Sequence, residues 1–227
     1  MARVISKSGW YDRGLKRALD LALALVLLVG LSPLLLLITL LLLISRIGRP
    51  VFRQQRVGYL CRNFYIYKFR TMTDARNPET GELLPDEART TWLGGILRAT
   101  SLDELPELLN ILRGDMSFIG PRPWVPEHMH TFRERTRRER MCVRPGLSGL
   151  AQICGRNNLT FRQRVCLDLR YIRSQSLWLD LGIFLATFYK VVKREGLLQH
   201  PDATTRTTPK DPATRGLRAN HTRRKHT

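Results

Sequence analysis

The sequence predicts a mostly helical α+β protein: an N-terminal membrane helix, interfacial amphipathic helices and a small cytosol-facing globular domain. Three observations predict it. Leu21–Ile44 is a run of 24 mostly aliphatic residues without a charge. Leu105, Leu108, Leu109 and Leu112 recur at i, i+3, i+4, i+7, one apolar helical face. Residues Phe64–Phe69 alternate well enough for a short strand. The expected organisation is a basic N-terminus and membrane helix over 1–45, a globular domain over 46–195 and a basic tail over 196–227. From His200 the tail has almost no aliphatic residues, so disorder is expected there.

The membrane run is long enough to matter. At 1.5 Å per residue it reaches about 36 Å, against a bilayer core of about 30 Å. It is too long for the apolar core of a signal peptide, and no small-x-small cleavage site follows it. Ser32-Pro33 interrupts it near the middle, which predicts a kink or break. Lys16 and Arg17 precede the run, and Arg46, Arg49, Arg53 and Arg56 follow it. A spanning helix should show positive-side asymmetry, and this one shows little. Charge symmetry leaves two topologies level: a kinked span, or a helix that enters, bends at Ser32-Pro33 and returns to the same side.

The whole chain is basic, with a net charge of +19 and a pI near 10.9. That balance implies anionic partners: nucleic acid, anionic lipid heads or phosphorylated substrates. Cys61, Cys142, Cys154 and Cys166 form no CxxC pair and no zinc spacing, and read as reduced thiols. His128 and His130 read as polar surface residues.

Thr100–Pro123 reads TSLDELPELLNILRGDMSFIGPRP. Ser101 and Glu104 have capping-box spacing, so a helix is expected from here, ended by Gly114. Pro106 predicts an irregular first turn or a restart. Asp103 and Glu104 are adjacent carboxylates that can share a hard cation such as Mg²⁺. Arg122 lies between two prolines that limit its backbone freedom. On pattern alone the plainer reading, a helix cap and a surface charge, stands ahead. Lys68 and Arg70 share one face of the expected strand, as a two-pronged phosphate grip or as two solvated charges. Residues 74–90 read as a loop, and the arginines of 124–144 as mostly a solvated face. Residues 177–192 read as an interfacial or core helix despite Asp180.

The wording SLDELPELLNILRGDMSFIGPRP resembles the signature of the bacterial sugar transferases, the monotopic phosphoglycosyl transferases that load a sugar phosphate onto polyprenyl phosphate. Lys68-Phe69-Arg70-Thr71-Met72 and Arg144-Pro145-Gly146-Leu147-Ser148-Gly149-Leu150-Ala151-Gln152, continuing to Gly155-Arg156, also match the family's pattern. Asp168 and Tyr171 match its Asp-x-x-Tyr element. The resemblance runs from about Lys16 to about Thr187. Cys61 departs from it where a glycine is frequent, and Trp92 and Gly95 where basic residues are frequent.

The resemblance implies a UDP-sugar donor, an undecaprenyl phosphate acceptor, release of UMP and Mg²⁺ as cofactor, in the first membrane step of a polysaccharide or glycoconjugate pathway. Asp103 would attack the sugar-linked phosphorus and carry a covalent phosphosugar. Glu104 would help hold the metal, with Asp103, or handle a proton. Lys68, Arg70, Arg98 and Arg122 would bind phosphates, with Arg144, Arg156 and Asp168 as further substrate-site candidates. For Asp168 a buried salt bridge is equally plausible. The resemblance also tips the helix kinked at Ser32 and Pro33 toward re-entry, and places the protein on the cytoplasmic face of a bacterial inner membrane, against anionic lipids. It is expected to be the small form, without the multi-span N-terminal domain of longer relatives. Two other readings stay open. One is a membrane-anchored nucleic-acid-binding protein, which the charge supports but no helix-turn-helix, RNP or zinc pattern does. The other is a lipid-phosphate phosphatase.

Overall fold

A proline early in a helix is tolerated, and in its middle it is not. The aliphatic run obeys this by forming two helices. In the computed structural model, α1 (Lys16–Gly30) and α2 (Ser32–Ile44) meet at Leu31 with a bend of 61°. Pro33 falls in the first turn of α2, where its missing N–H costs no helical bond. Ser32 Oγ donates to the Val29 carbonyl at 2.7 Å, serving one of the last acceptors of α1. No single described helix is long and apolar enough to cross a membrane; by length and composition the bent pair is. Residues 11–131, 133–155 and 159–193 are described, so the expectations for Arg156 and the 196–227 tail lie outside them.

After the aliphatic helix pair come β1 (Val51–Val57) and β2 (Asn63–Phe69), an antiparallel hairpin pairing Val51 with Phe69 through Val57 with Asn63. The strand expected at 64–69 is therefore present. In the turn, Leu60 and Cys61 take φ of +53° and +60°. The left-handed region costs a non-glycine residue about 1–2 kcal/mol, and Cys61 is where the family pattern favours glycine. Next are α3 (Asp86–Arg89) and α4 (Trp92–Ala99), the latter capped by Thr91 through Gly94 N–H at 3.0 Å. A Cβ on Gly94 would meet the Thr71 carbonyl oxygen at 2.0 Å, so α4 lies directly on the chain leaving β2.

Ser101 corrects one expectation. Its φ is +57° and its side chain makes no cap bond, so no capping box forms. The residue is used to turn the chain after α4. Leu102–Glu104 is a single 3₁₀ turn, and α5 (Glu107–Arg113) restarts after Pro106 and ends at Gly114, φ +90°. β3 (Ser117–Ile119) pairs in parallel with β4 (Gly146–Ser148). Between them lies α6 (Glu134–Arg140), and after them α7 (Leu150–Cys154), α8 (Phe161–Ser174) and α9 (Leu177–Lys193). Thr160 and Gln163 form the capping box that opens α8.

One apolar core gathers Leu108, Ile111, Met116, Tyr171, Ile172 and Ile183 with Ala24 of α1. A second gathers Ile38 and Leu42 of α2 with Phe69 and Leu97. Both helices of the aliphatic run thus rest on the same globular unit. Polar bonds fix α1: Arg17 donates to the Ile111 and Leu112 carbonyls at 2.6 and 3.0 Å, Lys16 pairs with Asp180 at 2.5 Å, and Asp20 accepts from Phe118 N–H at 3.2 Å. The other faces of α1 and α2 expose Leu25, Val26, Val29, Leu36 and Ile44, and α9 exposes Trp178, Phe188 and Tyr189. α9 therefore combines both expected characters, burying Ile183 while presenting aromatics outward.

Candidate active site

The Leu102–Glu104 turn is held between β2 and α4, and it delivers Asp103 into a cavity of about 330 Å³. Asp103 is only 7% exposed, and among the described residues it makes no hydrogen bond or ion pair. Lys68, Arg70, Arg98, Arg122 and Glu104 line the same cavity. The sequence-predicted phosphate-binding residues are thus brought together from β2, the chain after it, α4 and the segment after β3.

The charges are arranged unequally. Lys68 Nζ lies 2.7 Å from Glu104 Oε1 and 3.2 Å from Glu107 Oε1, and Arg122 Nη2 lies 3.6 Å from Glu104. Arg98 Nε donates to Thr71 Oγ1 at 2.9 Å, while Arg70 holds the Arg49 carbonyl and Asp74. Asn110, fully buried, sets the spacing. Its Nδ2 donates to the Tyr65 carbonyl at 2.7 Å and its Oδ1 accepts from Tyr67 N–H at 3.1 Å. That pairing docks α5 on the edge of β2 and so places Lys68 against the two glutamates.

Burial pushes the Asp103 carboxyl up to about 6, helped by Glu104 and opposed by Lys68, Arg98 and Arg122. Burial likewise pushes Glu107 up to about 7, against the pull of Lys68. Burial works against the Lys68 charge, yet Glu104 and Glu107 outweigh it and hold Lys68 above the usual lysine range. The cavity mixes basic side chains with carboxylates, and within it Asp103 is a partly desolvated carboxylate with no hydrogen bond, near the charges of Lys68, Arg98 and Arg122, an arrangement suited to a diphosphate and to nucleophilic attack.

The donor set can be tested against Mg²⁺. Among the described residues no three His, Cys, Asp or Glu side chains form a metal cluster. Asp103 and Glu104 offer two carboxylates, one of them already against Lys68. Such a pair fits Mg²⁺ in the way that ion prefers, with one or two carboxylates and the rest of its shell water and substrate phosphate.

Two candidates are engaged in structural contacts. Arg144, expected at the substrate, is not among the cavity residues. Its Nε holds the Gly114 carbonyl at 2.9 Å and its guanidinium lies over the Tyr59 ring. Asp168 borders the cavity, but its carboxylate is engaged by Arg140 at 2.8 Å, with both side chains almost fully buried. Arg140 was expected on a solvated face. Instead it also donates to the Arg122 carbonyl at 2.5 Å and lies 4.4 Å from the Trp124 ring centre. Tyr171 is likewise structural, its hydroxyl donating to Asp180 Oδ1 at 2.8 Å with the Ile119 carbonyl at 3.1 Å. Sequence reading passed over Glu107, Asn110 and Arg164, and quoted Thr71 and Gln152 only as motif members without a role. Glu107 could have been found, being a third acid one helical turn beyond Glu104.

The model of the family described as Bacterial sugar transferase matches residues 11–194. A Bacillus subtilis (strain 168) protein named uncharacterized sugar transferase EpsL is 44% identical over 186 residues, covering 82% of this chain and 91% of its own. The exopolysaccharide production protein ExoY of Sinorhizobium fredii is 38% identical over 197 residues, 80% of this chain and 87% of its own. The UDP-glucose:undecaprenyl-phosphate glucose-1-phosphate transferase of Caulobacter vibrioides is 43% identical over 180 residues, 76% of this chain and 67% of its own.

Proposed function

Because the chain belongs to the bacterial sugar transferase family, we propose that it moves a sugar 1-phosphate from a UDP-sugar to undecaprenyl phosphate, releasing UMP, in the assembly of a bacterial polysaccharide. The observation that carries the reading is Asp103: a buried carboxylate without a hydrogen bond, facing Lys68, Arg98 and Arg122 across one cavity. Family membership leaves the nucleic-acid-binding alternative without support.

The chemistry follows in two displacements. The donor diphosphate is held by Lys68, Arg70, Arg98 and Arg122, whose guanidiniums suit phosphate oxygens. An Asp103 carboxylate oxygen attacks the phosphorus that carries the sugar. A bond from that oxygen to phosphorus forms, and the bond to the bridging oxygen breaks, with UMP leaving on that electron pair. An oxygen of the lipid phosphate then attacks the same phosphorus, and the Asp103 carboxylate is released. Mg²⁺, held by Asp103 and Glu104, would screen charge on the diphosphate. Lys68 keeps Glu104 in place, and Arg140 holds the backbone of Arg122.

The membrane pair is read as re-entrant, on the cytoplasmic face of the inner membrane. Its support is that α1 and α2 both pack on the globular unit that holds Asp103, and that both flanks are basic. The basic surface would rest on anionic lipid heads.

Mass spectrometry of the enzyme mixed with a panel of UDP-sugars and Mg²⁺, without lipid acceptor, tests the scheme. A phosphosugar on the peptide containing Asp103, with one UMP released per enzyme, is expected. No adduct and no UMP burst, with turnover appearing once undecaprenyl phosphate is added, would establish direct transfer instead. Release of free phosphate from undecaprenyl phosphate once it is added, without UMP, would establish the phosphatase.

A further inference from the structure

Buried polar groups are nearly always paired, because burial removes their water without replacing it. Gln152 breaks this rule twice. Its Oε1 and its Nε2 are both shut off from solvent, and neither has a hydrogen-bond partner among the described residues. Arg164 breaks it once, at Nε. Both side chains line the cavity that holds Asp103.

The local fold keeps Gln152 where it is. α7 starts just after Gly149, whose backbone lies against Gly120; a Cβ there would meet the Gly120 carbonyl oxygen at 2.1 Å. The same Cβ would meet Gln152 Oε1 at 2.8 Å. A glycine at 149 thus both seats α7 on the end of β3 and leaves the carboxamide its room.

The type of partner follows from the orphaned atoms. Phosphate oxygens accept hydrogen bonds, and in their ionised form they donate none. A diphosphate could serve Nε2 and the Arg164 Nε–H, but it leaves Oε1 unserved. An undecaprenyl chain serves neither. The partner must present a donor and an acceptor side by side. On a UDP-sugar two parts do so: the uracil imide, with N–H beside C=O, and neighbouring sugar hydroxyls.

We propose that Gln152, assisted by Arg164, binds an uncharged donor–acceptor edge of the UDP-sugar and is a specificity-determining residue of this enzyme. The inference rests on the UDP-sugar reading of the site. Lys68, Arg98 and Arg122 hold the charged centre of the donor, and Gln152 reads a neutral end.

Gln152→Met and Gln152→Glu test this in the full chain in lipid nanodiscs. Methionine keeps the length without polar atoms; glutamate keeps the acceptors and loses the donor. UMP release against UDP-sugar concentration gives KM and kcat. Calorimetry gives the affinity for UMP, UDP and the preferred UDP-sugar, and a thermal scan gives stability. KM and the UDP-sugar dissociation constant should rise roughly tenfold or more in both variants, the usual effect of unpairing a hydrogen-bonding site. The thermal midpoint of the methionine variant should stay level or rise, because two orphaned polar atoms have been removed. Equal weakening for UMP, UDP and UDP-sugar assigns the uracil; weakening for UDP-sugar alone assigns the sugar. The inference is overturned if KM and all three affinities stay within twofold of wild type. It is equally overturned if the midpoint falls and only kcat follows. A wild-type chain that releases no UMP from any UDP-sugar overturns the transferase reading, whereas an active wild type with insensitive Gln152 variants overturns this inference alone.

Discussion

Asp168→Asn separates a structural role from a substrate-binding one. The side chains of Arg140 and Asp168 are 2% and 4% exposed and 2.8 Å apart. Asparagine keeps an acceptor for Arg140 Nε but removes the charge, leaving a guanidinium buried without a counter-ion. Removing one partner of a buried pair costs about 3–5 kcal/mol, and the retained acceptor puts this case near the lower end. At roughly 2–4 °C per kcal/mol for a chain of this size, the thermal midpoint should fall by about 6–12 °C. The pair is nonetheless a poor stabiliser. Both charges of a buried ion pair have lost their hydration, so apolar residues of similar volume in their place are often neutral or stabilising. Replacing both, as Arg140→Met with Asp168→Leu, should therefore restore the midpoint. Turnover should not return, because Arg140 also holds the Arg122 carbonyl and covers Trp124. The measurement is a thermal scan beside UMP-release kinetics. An Asp168→Asn protein with a wild-type midpoint and no turnover would refute the reasoning and place Asp168 on the substrate.

The Asp103 carboxyl, raised to about 6 by burial and then Glu104, is ionised above that pH and protonated below it. The UMP burst should fall to about half at pH 6 and about a tenth at pH 5; a burst flat from pH 5 to 7 would rule Asp103 out as the titrating nucleophile. The same shift makes the ionised group a cost to the fold at neutral pH, so Asp103→Asn should be inactive yet more stable, by up to about 3 kcal/mol. Cys61→Gly should gain about 1 kcal/mol by relieving a left-handed turn, while Cys61→Ala should gain nothing; equal midpoints for the two would show that the turn is unstrained. Cysteines placed at Lys16 and Arg53 should be labelled by an impermeant reagent from one side of the membrane only, the same side for both. Labelling of the two from opposite sides would sink re-entry.

What the sequence disclosed depended on whether the signal was local. The break in the aliphatic run was legible because Pro33 acts on its own helix. The restart at Pro106 and the stop at Gly114 were legible for the same reason. The capping box at Ser101 was not real although its spacing was right, because a tertiary need to turn the chain after α4 outweighed a local bond. Arg140 was hidden among neighbouring arginines, since nothing in its own segment names a partner 28 residues away. Lys68 could be nominated for phosphate, but its pairing with Glu104 and Glu107 depends on Asn110 docking α5 against β2. Aliphatic residues posed the hardest ambiguity. Ile38 and Leu42 face Phe69 and Leu97, while Leu36 and Ile44 face outward, and one composition serves both environments.

That double use of the run links membrane to chemistry. Arg17 of α1 holds the last carbonyls of α5, and α5 begins three residues after Glu104. Asp20 holds β3, from which the chain proceeds to Arg122, and Lys16 holds α9 through Asp180. In the proposed re-entrant arrangement, the helix that sets the protein's depth in the bilayer is therefore bonded to α5 and β3, the elements flanking Asp103 and Arg122. A lipid phosphate is confined to the headgroup plane, whereas a UDP-sugar arrives from water. In the proposed scheme Asp103 stands where the two meet, and the polar link from α1 to α5 would fix that height. A flexible tether would leave the nucleophile free to miss the acceptor, which is a reason for charged residues to occupy the first turns of an otherwise aliphatic membrane helix.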